Sequence, residues 1–257
     1  MTQEERLNFL IEYLLNENEE YKSSKIPESE TERKNLFRAL MNVRFPQEIS
    51  SDFLKIQDEY LSIENSKKIT DSKNLIPSKL NKKIFLWKGD ITTLKIDAIV
   101  NAANSSLCGC FIPLHNCIDN AIHTKSGVQL RLCCSKIIQK QNHEEECGKA
   151  KITPAFNLPC KFILHTVGPI VQTKLNSNHE KLLESCYKSC LSLAEENKIE
   201  SLAFCCISTG VFMFPNKRAA EIAVQTVNEF LKTSKIKQVV FNVFKDEDLK
   251  IYSKLLG

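Results

Sequence analysis

From residue 82 onward, short β-rich runs alternate with longer helical patterns, and no other feature of this 257-residue chain restricts its fold so tightly. The predicted strands are 84–87, 97–100, 150–153, 162–166, 201–206 and 238–244. The predicted helices are 116–125, 129–139, 181–197, 217–233 and 247–255. Parallel neighbours need long crossovers, usually helical, so this alternation implies an α/β sandwich with a partly parallel sheet.

Upstream the period changes. Leu7, Leu10, Ile11, Leu14 and Leu15 recur at helical spacing, which marks one apolar face. Leu36, Phe37, Leu40 and Met41 form a second such face, stopped near Arg44 by Phe45-Pro46, and Phe53, Ile56, Tyr60 and Leu61 a third. A residue before proline leaves the helical region. The reading is three helices that pack onto the α/β domain and carry no chemistry. Residues 63–80 are polar and rich in Lys and Ser and read as a linker. The expected division is a helical extension with linker over 1–80 and an α/β domain over 81–257.

The chain is 42% hydrophobic and 26% charged, which places it among globular proteins. A formal charge of +4 gives no footing for nucleic-acid binding. No apolar run approaches the ~18 residues of a membrane span. The N-terminus, MTQEERLNFLIEYLL, places acidic residues before its apolar part, so it reads as neither a secretory signal nor a transit peptide. The cysteines number eleven, an odd count, and two pairs are adjacent in sequence (Cys133 and Cys134; Cys205 and Cys206). They read as reduced thiols in a cytoplasmic setting.

Chemistry concentrates between one strand and one helix, at residues 101–127. Ligands of open α/β sheets bind there, beyond the carboxyl ends of strands and against helix N-termini. Cys110-x4-His115-x-Cys117 offers two thiols and an imidazole, a donor set that suits zinc. Three protein ligands leave a fourth position open, as in catalytic sites. Cys108 is an alternative to Cys110, and loose thiols in a cysteine-rich chain are the plainer reading. Asp119 opens the following helix and suits either a helix cap or a carboxylate beside a metal or ribose. His123 reads equally as a packed helix residue. Asp90, on the turn Lys88–Thr92 after the first strand, can accept from an amine or a hydroxyl. Asn101 and Asn104 carry donors and acceptors that suit ribose hydroxyls or Asx turns. The run Ser208–Pro215 joins a strand to a helix, where backbone N–H groups cradle phosphates. Phe212 and Phe214 can stack on a ring or plug that loop. The run His165–Pro169 reads as a strand followed by a turn.

In this order, Lys88-Gly89-Asp90-Ile91-Thr92, Asp97-Ala98-Ile99-Val100-Asn101-Ala102-Ala103-Asn104, Asp119 to His123, His165 to Pro169 and Ser208 to Pro215 resemble the macrodomain family over about residues 82–257. Hydrolase-type macrodomains usually carry a glycine-rich loop after the last asparagine. Here that place holds Cys108-Gly109-Cys110-Phe111-Ile112-Pro113-Leu114-His115-Asn116-Cys117, similar to a zinc-dependent branch of bacteria and microbial eukaryotes. Some members of that branch occur beside a sirtuin-type ADP-ribosyltransferase. Its helical N-terminal extension resembles residues 36–44 and 57–61 here.

The resemblance implies a three-layer α/β/α sandwich with a mixed sheet. It also implies ADP-ribose as ligand, Zn2+ as cofactor, and Cys110, His115 and Cys117 as metal ligands. Asp90 would receive the adenine amine and Ile91 would contact it through its backbone. Asn101 and Asn104 would hold the ribose next to the scissile bond. Ser208, Thr209, Gly210, Val211 and Phe212 would wrap the diphosphate, while Met213 replaces a frequent glycine and is expected to narrow the cleft. Asp119 would act at the reaction end with Asn104. The expected activity is zinc-dependent release of ADP-ribose from mono-ADP-ribosylated protein, with Asp or Glu esters foremost. The rival is a non-catalytic ADP-ribose reader whose metal braces the loop. A Mg2+-dependent nuclease or phosphatase would need a carboxylate cluster, and the nearest one, residues 246–248, reads as a helix start.

Overall fold

A computed structural model describes residues 1–257. The chain runs α1 (Gln3–Asn16), α2 (Glu30–Val43), α3 (Ser51–Ser66), β1 (Thr70–Asp71), β2 (Ile84–Lys88), β3 (Leu94–Lys95), β4 (Ala98–Ala103), α4 (Ile118–Ser126) and α5 (Val128–Gln141). It continues through β5 (Ala150–Pro154), β6 (Phe162–Val167), α6 (Ser177–Glu196), β7 (Ser201–Phe204), α7 (Asn216–Phe230), β8 (Gln238–Val243) and α8 (Asp246–Leu256).

The main sheet has the order β2-β8-β7-β4-β6-β5. All its neighbours are parallel except β5, which runs antiparallel to β6 at one edge. The carboxyl ends of β2, β4, β6, β7 and β8 therefore share one rim. α6, α7 and α8 pack side by side in one layer, and α4 and α5 form another. This is the expected α/β/α sandwich with a mixed sheet. The buried strands read as continuous apolar runs because both sheet faces are covered: Ile99, Val100, Leu164, Ala203, Val240 and Phe241 are all at most 1% exposed.

The three N-terminal helices follow from their caps and stripes. Thr2 and Glu5 form a capping box on α1, and Ser29 and Ser50 accept from the first turns of α2 and α3, which satisfies amides that would otherwise lack partners. Their apolar faces meet in a second core around Leu10, Ile11, Phe37, Phe53 and Tyr60, and Val128 of α5 enters it. The extension is therefore welded to the sandwich.

Residues 63–80 differ from the expected linker. α3 continues to Ser66, Thr70–Asp71 pairs in parallel with Leu94–Lys95, and the Leu80 N–H donates to the Leu256 carbonyl. Asn65 Nδ2 donates to the carbonyls of Lys125 and Asn157. The Lys/Ser composition marks exposed side chains, while the backbone beneath them is paired.

Candidate active site

β4 reaches Ala103, beyond its expected end, so Asn101 lies inside the sheet, opposite His165 of β6. Asn101 is 0% exposed. Its Nδ2 donates to Asp119 Oδ1 at 2.7 Å and lies 3.2 Å from His165 Nδ1. Asn101, expected after the strand, thus stands within it behind Asp119 and orients that carboxylate, and its Oδ1 has no partner. Asn104 is half-buried at the strand's end. Its Nδ2 donates to the Gly109 carbonyl at 3.0 Å and its Oδ1 accepts from Ser106 Oγ at 2.7 Å, so it shapes the loop, with capacity left for a ligand.

α4 begins at the rim with Cys117 as its N-cap, the thiol accepting from the Asn120 N–H at 3.4 Å. Asp119 therefore sits in the first turn without serving as the cap. It is 6% exposed, and burial pushes its carboxyl up to about 6 against the Asn101 hydrogen bond and the Arg131 charge. One turn on, His123 Nε2 lies 3.5 Å from Asp119 Oδ1. Burial first, then the neighbouring His165 and Arg131, hold His123 neutral, and neither ring nitrogen has a hydrogen-bond partner. Gly109 packs on this ring: at φ +81°, an added Cβ would stand 2.8 Å from His123 carbons.

The ligating atoms of Cys110, His115 and Cys117 lie within 4.8 Å of one another, with Cys110 Sγ 3.4 Å from His115 Nδ1. Tetrahedral zinc with ordinary Zn–S and Zn–N bonds spaces such atoms by roughly 3.5–3.8 Å. The donor set and its spacing fit the ion. Cys108 is buried and outside this group. The N-terminal helices, expected to carry no chemistry, reach the same loop. Arg38 and Asn42 of α2 hydrogen-bond to it, as does the buried Arg131 of α5. These residues were missed because their partners lie 21 to 77 positions away. The one local signal is an arginine inside the apolar run 128–134.

At the other end of the rim, Asp90 caps the turn after β2, accepting from the Thr92 N–H and from Thr92 Oγ1. Its Oδ2 accepts from Lys125 Nζ at 2.7 Å, a pair with no local sequence signal. Burial alone would raise this carboxyl, but Lys125 and Thr92 outweigh it and hold Asp90 below the usual range. Ile91, in the same turn, is buried.

The β7–α7 loop folds back on itself. Phe214 N–H donates to the Ser208 carbonyl and Met213 N–H to that of Gly210. The N–H groups of Gly210, Val211 and Phe212 make no hydrogen bond within the protein, so they can receive an anion. Phe214, 1% exposed, plugs the loop, whereas Phe212 is half-buried. Met213 has φ +53° and is 59% exposed; that backbone conformation explains why glycine suits the position. Ser208 Oγ is buried without a partner, and Thr209 Oγ1 donates to the Cys206 carbonyl.

Comparison with known proteins agrees with this geometry. Residues 100–223 match the Macro domain family. A Treponema medium protein named protein-ADP-ribose hydrolase is 55% identical over the whole of both chains. A Staphylococcus aureus protein of the same name is 50% identical over 97% of this chain and 94% of its own. The Trypanosoma brucei macrodomain solved with ADP-ribose superposes with a TM-score of 0.67, at 28% identity over 90% of this chain and 97% of its own. The chain belongs to the macrodomain family.

Proposed function

We propose that this protein is a zinc-dependent hydrolase that binds ADP-ribose and releases it from mono-ADP-ribosylated protein, acting on Asp or Glu esters. The observation that carries this reading is the meeting, at one rim, of two thiols and an imidazole at metal-ligand spacing, a buried oriented carboxylate and a loop of unpaired amides. The relatives named as protein-ADP-ribose hydrolases support the reaction class.

In this reading Asp90 receives the adenine amine and the Ile91 backbone meets the ring. Amides of Ser208, Thr209, Gly210, Val211 and Phe212 surround the diphosphate. Binding energy from this remote half positions the distal ribose. Asn104 steadies that ribose with its remaining donor and acceptor capacity. Cys110, His115 and Cys117 hold zinc, which supplies Lewis-acid polarisation of a substrate oxygen when bound. Asp119 orients the attacking water and takes up its proton as the water oxygen bonds to the ribose carbon that carries the ester. The bond from that carbon to the side-chain carboxylate breaks, the carboxylate leaves, and ADP-ribose is freed.

A metal that merely braces the loop is disfavoured, because Arg38, Asn42, Asn120 and Arg131 already hold that loop. All eleven cysteines are unpaired as thiols, in keeping with a reducing, cytoplasmic setting. No helix is long and apolar enough to cross a membrane. A sirtuin-type ADP-ribosyltransferase is the proposed source of the modified substrate. The test is release of ADP-ribose from an Asp/Glu-modified protein by the zinc-loaded and the chelator-stripped chain. Release that stops on stripping and returns with zinc is expected; equal release from both removes the zinc dependence.

A further inference from the structure

The loop that carries the three candidate ligands is gripped from outside the sandwich. Arg38 of α2 donates from Nη2 to the backbone carbonyl of His115 at 2.8 Å, and from Nε and Nη2 to Asn120 Oδ1 at 3.2 and 2.9 Å. Asn120 passes the contact on, its Nδ2 donating to the Ile112 carbonyl at 3.1 Å. One helical turn after Arg38, Asn42 is 1% exposed. Its Oδ1 accepts from the Leu114 N–H at 3.0 Å and its Nδ2 donates to Thr124 Oγ1 at 3.0 Å. Arg131 closes the clamp from the other side. It donates to the carbonyls of Met41, Asn42 and Arg44 at the end of α2 and to that of Cys110, and its guanidinium lies 4.2 Å over the Phe111 ring.

The grip falls on the ligands' own backbone: the carbonyls of Cys110 and His115 each accept from an arginine. It also falls on a strained residue. Leu114, immediately before His115, has φ +57°. A non-glycine residue stays in that region only where its surroundings impose it, and the Asn42 acceptor does so here.

We propose that the N-terminal helical extension is a positioning element for the metal centre, with Arg38 and Asn42 preorganising the ligand loop from α2. The inference rests on the zinc reading above. Groups behind metal ligands fix ligand orientation, and losing one lowers metal affinity by roughly 10- to 100-fold. Removing Arg38 takes away three hydrogen bonds and lets the segment from Ile112 to His115 relax. The metal should then leave faster, while the adenine and diphosphate contacts, which α2 does not touch, persist.

The experiment loads the full chain with one equivalent of zinc and follows zinc release into a chromophoric chelator, for wild type, Arg38→Ala, Arg38→Lys and Arg33→Ala. Arg33, also on α2, hydrogen-bonds through its guanidinium to Glu4 and the carbonyls of Pro27 and Glu28, away from the ligand loop, and serves as the control. The expected result is about 10- to 100-fold faster release from Arg38→Ala. Arg38→Lys, which keeps the charge but loses the planar fork and its Nε donor, should fall between. Arg33→Ala should behave as wild type. Turnover of Arg38→Ala should recover in excess zinc, with unchanged KM, which a merely unstable protein would not do. If Arg38→Ala does not fold, Arg38→Lys carries the test. Wild-type release rates in both Arg38 variants would overturn the inference and leave the zinc reading intact. A wild-type chain that holds no zinc would remove both.

Discussion

Two carboxylates stand on one rim of the sheet in opposite conditions. Asp90 accepts from Lys125 and twice from Thr92, and these partners hold it ionised despite its partial burial. Asp119 is nearly inaccessible and has one strong donor, Asn101, so burial prevails and its carboxyl is raised to about 6. The neighbours repeat the contrast. Around Asp119, both nitrogens of His123 and Oδ1 of Asn101 are buried without partners. Buried polar groups without partners are costly, and they persist where function requires them. The difference teaches that the Asp90 end is built with its polar groups satisfied. The Asp119 end stores unsatisfied polar groups that a ligand or ion can engage.

The contrast can be broken most forcefully at Asp119. Asp119→Asn keeps the shape but removes the charge. Turnover should fall by about 10²- to 10⁴-fold, the usual contribution of a positioned acid or base. ADP-ribose affinity measured by calorimetry should stay within about twofold, because hydrogen bonds lost outside the binding half do not weaken it. Asp90→Ala should invert that pattern. Loss of a charged hydrogen-bond acceptor is worth about 1.5–3 kcal/mol, or roughly a ten- to hundredfold weaker Kd, with kcat at saturating substrate preserved.

A third change tests whether the Asp119 end is preorganised. Gly109→Ala forces a side chain into φ +81° against the His123 ring. It should cost about 1–3 kcal/mol of stability, read as a lower denaturation midpoint. The smallest effect is expected at Lys125. Lys125→Met removes the cation that offsets burial at Asp90, so that carboxyl rises. ADP-ribose binding that needs ionised Asp90 is present above the carboxyl's pKa and is lost as pH falls through it. The acid limb of the affinity profile should therefore move to higher pH in Lys125→Met, with no change at alkaline pH.

The layers of the fold were legible because each rests on local periodicity: apolar runs for β4, β6 and β8, and i, i+3, i+4 stripes for α1 and α2. The grouping of Cys110, His115 and Cys117 was legible because the three lie within eight residues, and the loop between them brings their donor atoms together. What escaped depends on residues distant in sequence. Arg38 and Asn42 meet the loop 72 to 82 positions later, and an arginine at a helix surface carries no mark of such a partner. Asn101 was misplaced because Asn-Ala-Ala-Asn reads as a turn, whereas pairing with β6 extends β4 through it. Residues 63–80 looked like a linker because composition reports exposure, while the short β1–β3 pairing depends on backbone alone.

The most direct test of the two-ended site measures ADP-ribose affinity and ADP-ribose release on one preparation, before and after zinc removal. The division of labour predicts that stripping abolishes release from the Asp/Glu-modified protein, leaves Kd for ADP-ribose unchanged, and is reversed by zinc. Affinity and release falling together, or release persisting without zinc, would contradict it.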